Sequence, residues 1–245
     1  MTMRFYLLTS AVLAAASAYA QTPETIRVSA FEKIVASPRV HVVLTKGTTE
    51  SVKLECNGVS PRKVNVVSRG DRLLIYLDHA RFVEKKQRVV SDGFTRKIDR
   101  YEDVSVTAYV TYRELKSIEM RGEQDLVCDE PLNANKLKLI AYGTTNLMLD
   151  SLIANKVKVK LYGENRLRVR AGAVEHQVYR LYGKNRIDNQ GLVSETIKTS
   201  IYGEGVLRIN ASDEVHINAF GEPLVKVDGN ARVYKGILIG RTDIQ

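Results

Sequence analysis

An aromatic residue followed by glycine recurs five times between Tyr142 and Gly221, at an almost fixed interval. The five copies read YGTTNLML, YGENRLRV, YGKNRIDN, YGEGVLRI and FGEPLVKV, and Gly122 in MRGEQDLVC resembles a degenerate earlier copy. The glycines from Gly122 to Gly221 follow one another after 21, 20, 20, 20 and 18 residues. A period of this kind marks a stacked repeat, in which each unit buries its apolar face only against its neighbours.

The residues on either side of each glycine alternate in polarity. Counting back from Gly163, Leu161, Val159 and Val157 are apolar, and the residues between them are polar or aromatic. Alternation with period two is typical of a half-buried strand, and the polar pairs after the glycines, such as Glu164-Asn165, indicate corners. About three short strands per unit predict an all-β fold, one coil of a parallel β-helix per 20 residues. Leucine-rich repeats share this period, but their LxxLxLxxN skeleton is missing.

Residues 1–20 have the pattern of a secretory signal. Arg4 precedes the apolar stretch FYLLTSAVLAAA, and Ala18-Tyr19-Ala20 ends in the small-x-small pattern of a cleavage site. We predict cleavage after Ala20 and an exported protein, with the periplasm and the outer cell surface or extracellular space both open. No later segment approaches 18 apolar residues, so no transmembrane segment is expected.

The predicted mature chain, residues 21–245, is interpreted as a single β domain. Residues 21–115 would form an N-terminal β cap and wide coils, and residues 116–240 the repeat coils. Strands are predicted at Ile34–Leu44, Ser51–Cys56, Lys63–Val67, Arg72–Leu77 and Val104–Tyr112. The polar stretch from Glu84 to Asp103 is predicted to be a surface loop, with disorder as the alternative.

Charge and cysteine content narrow the possible partners and the redox state. The chain has 37 Lys and Arg against 28 Asp and Glu, a net charge of +9. This excess favours an anionic partner such as an acidic polysaccharide or envelope glycan, and export makes nucleic acid unlikely. The alternative is that the charge only keeps the protein soluble. Cys56 and Cys128 both fall on inward positions, where they would either form a disulfide or remain buried thiols.

The chain resembles the bacterial family called putative auto-transporter adhesin, head GIN domain. The likeness rests on FEKIVASPRVHVVLTKGTTESVKLEC with SRGDRLLIYL, on VSVTAYVTYRELKSIEMRG, and on the glycine-centred repeats, and it covers about residues 28–240. It implies an all-β, right-handed β-helix-like fold and a role at the cell envelope, and it brings no assigned enzymatic activity. One departure is that family members typically have Ser-Gly-Ser-Gly where this chain has Tyr-Gly and a polar pair.

The aromatic residues before the glycines are the main candidate for a binding site. They occupy equivalent outward positions, so their rings should stack about 4.8 Å apart. Beside them the sequence predicts a row of cations, and a linear acidic glycan would place sugar faces on the rings and carboxylates on the cations. The predicted binding residues are Tyr142, Tyr162, Tyr182, Tyr202, Phe220, Lys158, Lys160, Arg180 and Lys198. The alternative is that the row only stabilises the edge of the solenoid.

No catalytic, metal or cofactor site is predicted. The histidines show no HxH or HExxH spacing, and two cysteines cannot build a thiolate zinc site. The outward glutamates Glu164, Glu204 and Glu222 share a corner column, but Lys184 interrupts it, so a salt-bridged corner is expected. The sequence therefore favours a non-enzymatic envelope adhesin or binding module, which also leaves protein partners open. The alternatives are a structural scaffold without a ligand and a β-helix polysaccharide-degrading enzyme.

Overall fold

A computed structural model describes residues 25–91 and 94–245, so the predicted signal peptide and its cleavage site after Ala20 lie outside the described residues. Within those two ranges the chain forms strands and one 3₁₀ turn, Pro61–Lys63, with no α-helix. The N-terminal strands are β1 Thr25–Arg27, β2 Lys33–Ala36, β3 Val40–Lys46, β4 Ser51–Asn57, β5 Val64–Arg69, β6 Arg72–Leu77, β7 Lys86–Ser91, β8 Phe94–Asp99 and β9 Ser105–Tyr112. The repeats form β10 Ser117–Gly163, β11 Arg166–Gly183, β12 Asn185–Asp228, β13 Arg232–Ile239 and β14 Asp243–Ile244. The all-β prediction is confirmed.

Successive repeat units lie side by side in parallel. The pairing of β10 with β11 runs from Asn146 opposite Arg166 to Gly163 opposite Gly183, so each residue faces its counterpart one repeat later. The same offset relates β11 to β12, and it shortens at β13, where Glu214 faces Arg232. The sheet curls into a half-barrel. The parallel pairing and the curl of the sheet do not establish a right-handed parallel β-helix, which stays a prediction.

The core is built from the inward residues that the alternation predicts. Leu161, Val159 and Val157 are buried, and so are Leu181 and Ile201, the counterparts of Leu161 in the next two units. Each fully buried aliphatic side chain stabilises the fold by about 1.5–3 kcal/mol relative to exposure. Because these side chains meet those of the adjacent units, the stability of one unit depends on its neighbours.

The N-terminal strands continue the sheet onto the first repeat. Both β2 and β3 pair in parallel with the beginning of β10. On the outer side of β3 lie β9, β4 and β1, and on the outer side of β2 lie β6 and β5. Several of these outer pairings are antiparallel, so the regular parallel stacking stops here.

Two local predictions are wrong. The strand predicted at Ile34–Leu44 is two strands, because Pro38 lacks a backbone donor and Arg39 has a φ of 69°. The stretch Glu84–Asp103, predicted as a loop, contains the antiparallel pair β7 and β8, with Arg88 opposite Lys97. The many charged residues of this stretch had suggested a loop.

Candidate binding face

A column of glycines holds the repeat units in register. At Gly183 the backbone φ is +95°, and a Cβ would lie 2.5 Å from the carbonyl oxygen of Gly163. Only glycine permits both this left-handed conformation and this approach of one backbone to the next. The predicted early copy, Gly122, belongs to the column, and so does Gly240, which the aromatic-glycine pattern missed because an isoleucine precedes it.

The aromatic residue before each glycine stacks on its counterpart in the next unit. Ring centroids are 4.9 Å apart from Tyr142 to Tyr162, 4.8 Å from Tyr162 to Tyr182 and from Tyr182 to Tyr202, and 4.9 Å from Tyr202 to Phe220. The rings are within 3–8° of parallel. The predicted spacing and alignment are confirmed, and these five residues are hereafter called the aromatic row.

The stacking changes which part of each ring is open to a ligand. Neighbouring rings cover the faces of Tyr162, Tyr182 and Tyr202, so a sugar cannot lie on them as the sequence-based hypothesis requires. The ring edges and hydroxyl groups remain. In the described part of the chain, no protein hydrogen bond engages the hydroxyls of the row's four tyrosines, and Tyr142 and Tyr202 are 41% and 38% exposed. The row therefore offers a line of phenol hydroxyls at about one repeat spacing.

The row continues beyond Tyr142 in a form that the sequence did not indicate. Arg121, which precedes Gly122, takes the aromatic position in the first unit. Its guanidinium carbon is 6.0 Å from the ring centroid of Tyr142 and 4.9 Å from that of Phe82. These are cation–π distances, so this end of the row is closed by a charged plane. At the other end Ile239 is paired with Phe220.

Cations cluster beside the row on the same strands. Lys158 and Lys160 are half-buried, and Arg180 and Lys198 are exposed. None of these four forms an ion pair within residues 25–91 and 94–245. The row of cations is interrupted at Ile140. The alternation counted back from Gly143 assigns this residue to the outer face, but it is buried. Four positive charges without acidic partners leave an anion-attracting surface.

The charge cluster acts most strongly on Lys158. Partial burial lowers the pKa of its ammonium group, and repulsion from Arg180, Lys160, Lys138 and Lys156 lowers it further. Both causes disfavour the charged form of a lysine. An anion bound at this place would relieve the repulsion and raise the pKa again.

The lysine titration gives a test of this electrostatic arrangement. We expect Arg180→Gln to raise the pKa of Lys158, measured by NMR of its side-chain nitrogen, and Arg166→Gln on another face to leave it unchanged. Because the folded-state pKa lies below the unfolded one, the unfolded chain binds more protons, and the free energy of unfolding should rise as pH passes upward through that folded pKa. If Arg180→Gln leaves the pKa of Lys158 unchanged, repulsion from Arg180 does not contribute to lowering that pKa.

The remaining sequence-based candidates are dispersed. The corner glutamates Glu164, Glu204 and Glu222 are exposed, and in the described part of the chain neither they nor Lys184 forms an ion pair, so the expected salt-bridged corner is not formed. Within the described ranges no three His, Cys, Asp or Glu residues are close enough to hold a metal ion. Those ranges also contain no helix long and apolar enough to cross a membrane.

Both cysteines are free thiols in the structure, the second of the two alternatives left open by the sequence. Cys128 on β10 is buried and donates a hydrogen bond to the carbonyl oxygen of Glu130 at 3.3 Å. Cys56 lies half-buried on β4. Burial raises the pKa of both thiols. They are therefore poor nucleophiles near neutral pH.

An asparagine ladder lies under the corner next to the aromatic row. The corner residues Asn165 and Asn185 were predicted only to turn the chain, but both point inward and are buried. The Oδ1 of Asn185 accepts from the backbone nitrogen of Asn165 at 3.2 Å and from its Nδ2 at 3.1 Å. The Oδ1 of Asn165 in turn accepts from the backbone nitrogen of Thr145 at 3.1 Å. The ladder satisfies corner backbone groups that the sheet does not pair, and so supports the row from inside.

A second buried polar group lies deeper in the same units. The hydroxyl of Tyr179 donates to Gln177, accepts from the Nδ2 of Asn189 at 2.8 Å, and is fully enclosed. Gln177 also donates to Ser194. Burial raises the pKa of Tyr179 well above its usual range, so the phenol stays protonated. All four side chains are buried, so this network stabilises the core.

The fold and this face together define an all-β repeat protein with an open, cationic surface. A family model described as putative auto-transporter adhesin, head GIN domain, matches residues 30–231, and the chain belongs to that family. No curated protein matches the sequence significantly.

Three solved structures have a similar fold. A putative adhesin of Bacteroides fragilis is 16% identical, with a TM-score of 0.69 over 91% of this chain and 95% of that chain. A putative adhesin of Parabacteroides merdae is 15% identical, with a TM-score of 0.66 over 91% and 94%. A protein of Parabacteroides distasonis described as a putative lipid binding protein is 15% identical, with a TM-score of 0.62 over 92% and 96%. At these identities the likeness concerns the fold alone.

Proposed function

We propose that this protein is an exported, non-enzymatic binding protein of the cell envelope that holds acidic polysaccharide across the aromatic row and the adjacent cations. The observation that carries the proposal is that two sets of groups lie side by side. Within residues 25–91 and 94–245, the four tyrosine hydroxyls have no protein hydrogen-bond partner and the four neighbouring cations have no acidic partner. A repeating polyanion matches such a surface, because each repeat unit of the protein offers similar groups to each unit of the polymer. The family's description as an adhesin supports a binding role.

The proposed architecture is a right-handed β-helix-like solenoid, with residues 21–115 covering one end. Pairing at a constant offset around nearly the whole unit supports this, since each position then lies beside its counterpart in the next coil. The binding mode proposed here differs from the one expected from the sequence, in which sugars would stack on the faces of the aromatic rings. Carboxylates would pair with Lys158, Lys160 and Arg180, while sugar hydroxyls would exchange hydrogen bonds with the phenol groups.

The rival proposal is a scaffold without a ligand. It is favoured by the ring stack itself, since mutually covered rings stabilise a sheet without any partner. A polysaccharide-degrading enzyme is the weaker rival, because Lys184 separates Glu164 from Glu204 in the corner column, whereas glycosidases need a pair of carboxylates that flank one bond.

Retention on immobilised polygalacturonate tests the proposal, with release of new reducing ends measured in parallel. We expect salt-sensitive retention without new ends. Lys158→Gln with Lys160→Gln should weaken binding roughly tenfold or more, since charge-assisted contacts contribute about 1.5 kcal/mol or more. Tyr162→Phe with Tyr182→Phe should also weaken it, because only the hydroxyls are lost while the stack remains.

The matched control removes two charges from another face. Arg166→Gln with Arg186→Gln also deletes two exposed, register-paired cations that form no ion pair in the described structure. If this control weakens retention as much as the lysine pair, the binding is only a response to net charge. Absence of retention would favour the scaffold, and new reducing ends would favour the enzyme.

A further inference from the structure

An open groove of about 900 Å³ lies at the start of the repeat region, away from the aromatic row. This volume is in the range of small-molecule sites, roughly 300–1,000 Å³. Its lining residues come from the end of β3, the β9–β10 connection and two successive repeat units. None of them belongs to the proposed polysaccharide face.

The groove has a fixed apolar floor. Leu115 and Ala154 are buried, and Ala134 and Ile153 complete the apolar surface. Its wall, the connection between β9 and β10, is held by backbone hydrogen bonds on both sides of Lys116. The Lys116 nitrogen donates to the Glu32 carbonyl at 2.7 Å, and the Lys116 carbonyl accepts from the Lys138 nitrogen at 2.9 Å. The cavity is therefore preformed rather than shaped by a mobile loop.

The charges around the groove divide into bound and free cations. Arg113 is paired with Glu50 at 2.6 Å, and Lys116 is paired with Glu32 at 2.7 Å. Lys46 and Lys136 form no side-chain ion pair among the described residues, and the acid that lines the groove is Glu114. Two exposed ammonium groups are thus available to an anion at the groove.

Three side-chain amides also line the groove. Asn133, Asn135 and Asn155 are exposed, and no side-chain hydrogen bond engages them in the described part of the chain. A primary amide offers a donor and an acceptor together, which matches a pair of neighbouring sugar hydroxyls. An acyl chain has no groups that could form hydrogen bonds with these amides.

We propose that this groove binds a short carboxylated oligosaccharide. Lys46 and Lys136 would pair with carboxylates, the three asparagines with hydroxyls, and the floor of Leu115, Ala134, Ala154 and Ile153 with the C–H face of a sugar ring. The groove is a site separate from the proposed polysaccharide face, and it does not depend on that proposal.

Calorimetric titration of the full chain tests the groove, with trigalacturonate as the probe and maltotriose and dodecanoate as comparisons. We expect trigalacturonate to bind and Lys136→Gln with Asn155→Ala to weaken it at least tenfold. Lys184→Gln with Asn57→Ala is the matched control, since both residues are exposed and without side-chain partners in the described structure, and it should change nothing. Circular dichroism would verify that the variants are folded.

The outcomes separate this proposal from the preceding one. Lys158→Gln with Lys160→Gln should leave trigalacturonate binding in the groove intact even though it weakens retention on the long polymer. The groove proposal is overturned if trigalacturonate does not bind, or if Lys136→Gln with Asn155→Ala leaves its affinity unchanged. It is also overturned if maltotriose or dodecanoate binds as tightly, because the carboxylates or the sugar would then be irrelevant.

Discussion

Replacing Gly183 with alanine should lower the free energy of unfolding by about 3 kcal/mol, as expected for a strained backbone combined with a steric clash. The residue has a φ of +95°, and the new Cβ would meet the Gly163 carbonyl oxygen at 2.5 Å. Since that oxygen belongs to the backbone of the adjacent unit, relief would require the two units to move apart. Urea unfolding followed by circular dichroism measures the effect.

Gly70 provides the control for this substitution. It also has a positive φ, +60°, but a Cβ there would have no heavy atom within 4 Å. Gly70→Ala should therefore show only the conformational cost of a left-handed residue, about 1 kcal/mol. The difference between the two variants isolates the close approach of the stacked units. If Gly183→Ala and Gly70→Ala destabilise the protein equally, glycine is needed in the column only for its left-handed backbone conformation and not for the close approach of the units.

Asn185→Ala should destabilise the protein by about 3 kcal/mol, because it leaves more than one buried group unsatisfied. The backbone nitrogen and the Nδ2 of Asn165 would lose their shared acceptor, and the carbonyl of Tyr182 would lose a donor at 3.1 Å. Tyr182 belongs to the aromatic row, so the stack should also loosen. A denaturant titration gives the stability, and near-ultraviolet circular dichroism reports the tyrosine environment.

An exposed asparagine serves for comparison. Asn135 lies on the surface without a side-chain hydrogen bond in the described structure, and Asn135→Ala should change stability by less than about 0.5 kcal/mol. If Asn185→Ala costs no more than Asn135→Ala, the asparagine ladder is dispensable and a buried water or a shifted backbone replaces it.

The aromatic row was predictable because it depends only on contacts between residues that are one repeat apart. The interval between Tyr162 and Tyr182 is one repeat, and residues one repeat apart are neighbours in any stacked structure. The inward residues were predictable for the same reason, since period-two alternation assigns each side chain of a strand to one face. Ile140 is an exception, because its place in the alternation is outward and its side chain is buried.

The asparagine ladder could not be predicted in this way. A polar pair such as Glu164-Asn165 looks the same whether the corner directs the asparagine outward or inward. Its burial depends on the carbonyl and amide groups that the next unit brings beneath it. The spacing of Asn165 and Asn185 by one repeat is a signal that could have indicated a ladder, but the sequence carries no sign of its side.

The covered ring faces also follow only from the assembled structure. Stacking at one sheet spacing was expected, yet its consequence for binding depends on the rings being nearly parallel and in contact. The orientation of each ring depends on its packing against the rings of both neighbouring units, so it cannot be read from the sequence of one unit.

By itself, the sequence determined the period of the repeat, the β class, the residues that face the core and the alignment of the aromatic row, because each depends on contacts between residues at short or constant separation. Only the tertiary structure decided which polar corners are buried, which cations lack acidic partners, and that Lys46, Arg113 and Asn155 line one groove. Those properties arise where distant segments meet. The physical reason is that burial and electrostatic pairing belong to the surroundings of a side chain, which are complete only when the units have stacked.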